Sequence, residues 1–222
     1  MVTGETTARS GYRRLRALLG VVIAVGLLLL GGGAAVTLGL GRDEAPGADS
    51  VDAGFSRDMS RHHLQAVEIA NLAFERTDDP EIGQMAFDIS ATQTNQAGRM
   101  QGWLSLWGIP PTGGETMAWM ATDEHAGHDA AMGADGLMPG MATEEELAEL
   151  RDSSGTAFDR RFLQLLIRHH QGGLEMAEAA ADRAEEQAVR SLAGTIAETQ
   201  TAETATMTKM LSARGAAPLP AP

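Results

Sequence analysis

Two stretches of this sequence decide its fold: Arg-His-His-Leu-Gln-Ala-Val-Glu-Ile-Ala at residues 61–70 and Arg-His-His-Gln-Gly-Gly-Leu-Glu-Met-Ala at residues 168–177. They lie 107 residues apart, and at that offset residues 52–104 align with residues 159–211 without a gap. Alanine-rich sequence rarely repeats a contiguous Arg-His-His with Glu five residues beyond it by chance, so we interpret the two segments as copies of one module. Further identities between the copies are Phe55/Phe162, Ile89/Ile196, Gln93/Gln200, Met100/Met207 and Leu104/Leu211.

Each copy has the apolar periodicity of two helices. Apolar side chains recur at intervals of three and four residues, and in the first copy Asp79 and Pro80 form a cap and a first helical position between the helices. The second copy has no proline there, and the repeat places its turn near Glu185 and Glu186. No segment alternates as a strand does. We therefore predict an all-α fold, an antiparallel four-helix bundle built from two helical hairpins within residues 51–212.

The amino-terminal segment predicts a membrane anchor. An uncharged run at 17–41 follows a basic tail at 1–16, and it is long enough to cross a bilayer as a helix. The basic residues before the run predict a cytoplasmic amino terminus and an extracytoplasmic domain, and residues 42–50 read as a spacer. A cleaved signal peptide is the alternative, although its apolar core is usually shorter, about 7 to 15 residues.

Composition restricts the chemistry. The 30 acidic and 17 basic residues give a net charge of -13, which argues against a nucleic-acid partner because such binding depends on Lys and Arg. The chain has no cysteine, which excludes disulfides, thiolate metal sites, iron–sulfur clusters and cysteine nucleophiles. Soft-metal chemistry would then depend on the 12 methionines and 6 histidines.

The duplicated histidine pairs are candidate metal ligands. Two adjacent residues on a helix are about 100 degrees apart, so each pair straddles the buried edge of its helix. One methionine lies on the same face as each pair. A core polar network without metal is the alternative, since buried polar rings need partners. The candidate ligands on the helices are His62, His63, His169, His170, Met59 and Met176.

Polar residues also occur in the apolar stripes of the second helices. Gln93 and Gln200 lie at equivalent places, and Gln96 and Glu203 follow three residues later. Histidine ligands of metals usually bond such groups through the other ring nitrogen. We therefore predict that these four side chains face the histidine pairs. The alternative is that the glutamines satisfy buried backbone groups or one another.

The connection between the copies, residues 105–154, contains a second set of candidate ligands. Thioethers favour Cu(I), while imidazole accepts Cu(II) and zinc, so the set indicates copper, with other divalent metals as alternatives. Thr143 and Glu146 have the spacing of a capping box for a short helix near its end. Residues 213–222 are predicted to be a disordered tail. The candidate ligands of the connection are Met117, Met120, His125, His128, Met138 and Met141.

The two Arg-His-His segments and Met-Pro-Gly-Met at 138–141 resemble the DUF305 family over roughly residues 50–212. The resemblance implies a ferritin-like four-helix fold, with metal held by the histidine pairs, by Met59 and Met176, and by the connection. The family includes exported copper-binding proteins. This sequence departs from the family pattern at Leu166, where many members have methionine.

We predict a membrane-anchored, outward-facing protein that binds Cu(I) or Cu(II) for sequestration, tolerance or transfer and is not an enzyme. A di-iron site would need Glu-x-x-His on two helices, and the sequence has no such motif. It also has no phosphate-binding glycine loop and no His-Glu-x-x-His. The alternative is a metal-independent envelope protein whose histidine pairs form a core network. Its protein partner is not indicated by any motif.

Overall fold

The structure is a computed structural model that describes residues 5–37, 44–121 and 136–220. The chain divides into two compact units, Met1–Ala45 and Pro46–Pro222. All regular secondary structure in the described residues is helical, which confirms the predicted all-α class.

The first unit contains helix α1, Glu5–Thr37. Its window Arg16–Gly33 has a mean hydropathy of 2.1, and α1 is the one helix of the described chain that is long and apolar enough to cross a membrane. Its apolar side chains are exposed, for example Leu28. This composition suits a membrane anchor, and a signal sequence shares it.

The second unit is built from four long helices and one short one. Predicted boundary signals are found where the sequence places them: Asp79 caps α3 with Pro80 in its first turn, and Thr143 and Glu146 form a complete capping box at α4. A short turn precedes Gln187, as the repeat predicts. The helices are α2 Val51–Arg76, α3 Pro80–Leu106, α4 Glu144–Asp152, α5 Gly155–Arg183 and α6 Gln187–Ala213, with a 3-10 turn at Ala118–Met120.

Two helical hairpins, α2/α3 and α5/α6, pack together through α2 and α5. Each hairpin holds the turn of the other through a buried aspartate. Asp52 accepts hydrogen bonds from the backbone N–H groups of Glu185 (3.1 Å) and Glu186 (2.9 Å), and its repeat mate Asp159 accepts one from Thr77 Oγ1 (2.6 Å). The start of each of these helices therefore lies beside the end of the other, so α2 and α5 run antiparallel.

The apolar interior consists of two clusters, and all four long helices contribute to both. We call one the aliphatic end; its members include Ile69, Ala86, Phe162, Leu166 and Met207. The other we call the methionine end; its members include Phe55, Met59, Met100, Met176 and Ile196. Under the 107-residue offset most helix residues of one end correspond to residues of the other.

Short segments outside the hairpins also have fixed contacts. Helix α4 is attached by ion pairs of Arg168 with Glu146 and of Arg151 with Glu68. The residues after α6 are bound as well, since Gln164 Nε2 donates to the carbonyl oxygen of Ala217 at 2.8 Å and Leu219 packs against the aliphatic end. These contacts attach the residues after α6 to α5 and to the aliphatic end.

Candidate metal centre between the two apolar ends

A layer of polar side chains separates the methionine end from the aliphatic end. Each long helix contributes two members at the point where its sequence passes from one cluster to the other. The four imidazoles are fully buried. The members, which we call the histidine layer, are His62, His63, Gln93, Gln96, His169, His170, Gln200 and Glu203.

Each imidazole uses its Nε2 atom in a hydrogen bond to an oxygen. His63 bonds Gln96 Oε1 and His170 bonds Glu203 Oε2, both at 2.8 Å. His62 bonds the carbonyl oxygen of Pro139 at 3.0 Å, and His169 bonds that of His62 at 3.1 Å. Because an oxygen acceptor requires a proton on the nitrogen, Nε2 is the donor in each ring, and a neutral ring then has its lone pair on Nδ1.

Burial keeps the imidazoles of His62, His63 and His169 neutral. Loss of hydration lowers the pKa of His62 to about 4 and that of His63 to about 3. It also lowers the pKa of His169 well below the usual 6.5, and the neighbouring histidines lower it further. A neutral imidazole is the form that binds a metal ion, so these three rings are in the ligand form at pH 7.

The Nδ1 atoms of all four imidazoles are buried and have no hydrogen-bond partner within the described chain. The rings of His62 and His169 lie close together, with 3.8 Å between their centroids, where α2 and α5 cross. Buried polar atoms are normally satisfied, and each exception costs about 1 to 3 kcal/mol. Four unused lone pairs in one layer therefore indicate a place for a ligand.

The four side chains that the sequence predicts to face the histidine pairs divide into two groups. Gln96 and Glu203 bond histidines, as the sequence predicts. Gln93 Oε1 and both amide atoms of Gln200 are instead buried without a partner in the part of the chain that the structure describes. Gln200 lies where a Cβ on Gly173 would come within 2.8 Å of its Oε1, so glycine provides the room for this amide.

Seven methionines belong to the methionine end. Five are buried and two, Met120 and Met141, are partly buried. Six of the seven are sequence-predicted site residues, and the structure brings them into one cluster although they come from α2, α5 and the connection. Met100 was not predicted; its signal is its place on the buried stripe of α3, four residues after Gln96. The full set is Met59, Met100, Met117, Met120, Met138, Met141 and Met176.

The first part of the connection is held by a buried carboxylate. Asp58 Oδ2 accepts hydrogen bonds from the backbone N–H of Met117 (2.8 Å) and from Trp119 Nε1 (2.9 Å). Met117 has a φ of 63°, a left-handed conformation that is uncommon for a residue with a side chain. Arg183 lies over the Trp119 ring and donates to its carbonyl oxygen at 3.0 Å. These bonds fix Met117 against the core.

The second part of the connection, residues 138–142, crosses the histidine layer between α2 and α5. Gln65 bonds both backbone groups of Ala142, at 2.9 and 2.7 Å. The fit requires glycine at Gly172, because a Cβ there would lie 2.0 Å from the carbonyl oxygen of Pro139. Met138 and Met141 are thereby placed beside the layer. The predicted ligands His125 and His128 lie outside the described residues.

These residues suit a soft metal better than a hard one. Among the described residues, no three His, Asp or Glu side chains are placed together to hold one ion. What the layer and the methionine end offer instead is imidazole nitrogen and thioether sulfur. Such donors select copper among the first-row metals, and Cu(I) in particular. The residues present therefore fit copper as a cargo.

Solved structures of similar sequence exist. A DUF305 protein from Streptomyces coelicolor, provisionally classed as secreted, is 39% identical with a TM-score of 0.70, and the match covers 78% of this chain and 99% of that one. A DUF305 fragment from Deinococcus radiodurans is 32% identical with a TM-score of 0.59, covering 73% and 96%. CopM in its Cu(II)-bound form is 25% identical with a TM-score of 0.56, covering 74% and 97%. No curated protein matches the chain significantly.

The family assignment follows from the sequence match as well. The DUF305 family, a domain of unknown function, matches residues 52–211, which include both histidine pairs and the connection between them. The match begins and ends where the duplication does, since the first copy begins at residue 52 and the second ends at residue 211. The chain belongs to the DUF305 family.

Proposed function

We propose that this protein binds copper, as Cu(I) and Cu(II), in the histidine layer and at the methionine end. It sequesters the ion or passes it on and does not transform a substrate. The ligands come from the histidine pairs, from Met59 and Met176 and from the connection. The full set is His62, His63, His169, His170, Met59, Met176, Met117, Met120, Met138, Met141, His125 and His128.

One observation carries this proposal: four buried imidazoles whose Nε2 atoms are engaged and whose Nδ1 atoms have no partner among the described residues. The engaged Nε2 atoms resemble the outer hydrogen bonds that orient histidine ligands in metal sites. A bound ion would use the free lone pairs and so offset the cost of burying them. The adjoining thioethers explain why the ion is copper.

Architecture and family relationship support the same conclusion. We assign the two hairpins to a ferritin-like four-helix bundle, because all four long helices share both apolar ends. CopM, which is 25% identical to this chain, is known in a Cu(II)-bound form. Helix α1 would anchor the protein in the cell membrane as a single span, with the copper-binding unit outside.

Copper binding is tested by competition on the purified full chain in detergent. The proposal expects an affinity tighter than about micromolar, and weaker binding overturns it. Replacing His62, His63, His169 and His170 with Ala should abolish the affinity. Because four buried changes can prevent folding, the single variant His63→Ala is measured beside it, with helicity checked by circular dichroism. It should lose affinity at unchanged helicity.

Membrane topology has a simple test because the chain has no cysteine. A cysteine introduced at the exposed position Ala205 of α6 provides one labelling site. We expect a membrane-impermeant maleimide to label it in intact cells. Labelling only after lysis would place the unit in the cytoplasm and contradict the proposed orientation.

A metal-independent core network is the competing function. It is favoured by the Nε2 hydrogen bonds, which hold the layer together without an ion. Melting curves with and without copper, zinc and nickel separate the two hypotheses. A ligand that binds only the folded state raises the melting temperature, so copper binding predicts a rise and the metal-independent network predicts none.

A further inference from the structure

The histidine layer has two halves that the duplication makes equivalent. In the first, His63 donates to Gln96 Oε1, and in the second, His170 donates to Glu203 Oε2, with the same distance of 2.8 Å. Gln96 and Glu203 lie 107 residues apart and are repeat mates. We call the first the amide half and the second the carboxylate half.

The two halves differ in charge. Gln96 is neutral and 7% exposed, whereas Glu203 brings a carboxylate whose side chain is 18% exposed. Its imidazole partner is fully buried. Charge acts strongly in such an interior because little water screens it. The carboxylate half therefore provides one negative charge that the amide half lacks.

The two halves also differ in sulfur. Met59 lies four residues before His63 in α2, and the equivalent position before His170 in α5 is Leu166. Both side chains are fully buried. Residues four apart share a helix face, so only the amide half has a thioether in this position.

Both differences discriminate between the oxidation states of copper. The Born cost of a buried ion rises with the square of its net charge. A monovalent ion in the amide half and a divalent ion in the carboxylate half each leave one positive charge, whereas a divalent ion in the amide half leaves two. Sulfur ligands favour Cu(I). The carboxylate of Glu203 favours the divalent ion through its charge, which acts on the ion by way of the imidazole that it bonds.

We propose that the two halves are specialised by oxidation state, with Met59, His63 and Gln96 selecting Cu(I) and with His170 and Glu203 selecting Cu(II). This inference rests on the proposed copper-binding function. It makes Gln96 and Glu203 residues that determine specificity, although they act through the imidazoles they bond.

Two isosteric exchanges test the inference on the full chain in detergent. Cu(II) binding is followed by electron paramagnetic resonance, and Cu(I) binding by competition with a chromogenic chelator. Glu203→Gln should weaken Cu(II) binding about tenfold or more, the effect that partners of metal ligands usually have, and change Cu(I) binding by less than about threefold. Gln96→Glu should have the opposite effect on Cu(II): it should add Cu(II) binding in the amide half and change Cu(I) binding by less than about threefold.

The control is Glu198→Gln, an exposed position on the same helix as Glu203, which should leave both affinities unchanged. Equal changes of the Cu(I) and Cu(II) affinities in the two exchange variants, or no change in either affinity, would overturn the specialisation. If one variant fails to fold, the other decides the question. A wild-type chain that binds neither ion overturns the proposed function itself. If the wild-type chain binds both ions but the variants do not change as expected, only the specialisation is overturned.

Discussion

The methionine end and the aliphatic end are equivalent by duplication but differ in chemistry. Met59 of the first corresponds to Leu166 of the second, and Met176 corresponds to Ile69. Asp58, which holds the connection at the methionine end, corresponds to Leu165. The aliphatic end is therefore mainly hydrocarbon, with Met207 as its buried methionine, whereas the methionine end has five buried methionines and the attached connection.

This difference explains how a symmetric fold can contain an asymmetric site. The histidine-bearing helix of each copy supplies one thioether to the methionine end, Met59 before its histidine pair and Met176 after its own pair. Because α2 and α5 run antiparallel, both thioethers lie on the same side of the histidine layer.

Acidification should destabilise the methionine end and the aliphatic end together, and it should change the free energy of unfolding more than any substitution below. The pKa values of His62 and His63, about 4 and about 3 in the fold, lie below 6.5, so the unfolded chain binds more protons between these values. The free energy of unfolding of the metal-free protein, fully present above pH 6.5, should fall as the pH decreases from 6.5 toward 4. Denaturant titrations at several pH values measure it.

Tryptophan fluorescence shows whether the ends separate. All three tryptophans, Trp103, Trp107 and Trp119, pack at the methionine end, whereas circular dichroism reports all helices. Since the histidine layer joins both ends, the two signals should change at the same pH. A fluorescence change that precedes the loss of helicity would mean that the methionine end unfolds independently.

Gly172→Ala should have the next largest effect, because its Cβ would overlap the carbonyl oxygen of Pro139. We expect a destabilisation of about 3 kcal/mol as residues 138–142 are displaced from α5. Gly98→Ala in α3 is the matched control; no atom lies within 4 Å of the added Cβ, so helix propensity should stabilise the protein by about 0.5 to 1 kcal/mol. Equal melting temperatures for both variants would contradict the close packing.

Asp58→Leu gives the methionine end the residue type of Leu165, the repeat mate of Asp58 at the aliphatic end. It leaves the Met117 N–H and the Trp119 indole N–H without an acceptor, at a cost of about 2 kcal/mol. Burial raises the pKa of Asp58, and the bonds to Met117 and Trp119 oppose that rise. Asp88→Leu, at an exposed site on α3, should change the free energy of unfolding by less than about 0.5 kcal/mol.

Exchanging the thioethers should have the smallest effect on free energy. The double variant Met59→Leu with Met176→Ile replaces both methionines with the residues at the equivalent positions of the aliphatic end. We expect its Cu(I) affinity to fall about tenfold, or about 1.4 kcal/mol. Met207→Leu with Met210→Leu, in the aliphatic cluster, is the control and should retain the affinity. If both double variants bind Cu(I) alike, the methionine end is not the binding end. Competition with a chelator measures the affinity.

Much of the fold could be predicted because its signals are local. The Asp79–Pro80 start, the Thr143 capping box and the turn before Gln187 follow from hydrogen bonds within a few residues. The partners Gln96 and Glu203 were also predictable, since buried polar side chains must meet one another. Two features were not predictable, because their environment comes from distant segments. One is the lack of a partner for Gln93 Oε1 and for the Gln200 amide within the described residues, and the other is the set of contacts made by the residues after α6.

The sequence by itself determined the duplication, the helices and the chemical character of the ligands, because periodicity and composition are properties of the chain alone. Only the tertiary structure decided which ligands meet. The antiparallel crossing of α2 and α5 placed Met59 and Met176 at one end, and the hydrogen bonds of Asp58 and Gln65 brought the connection to it. These contacts join residues far apart in sequence, so no local pattern records them.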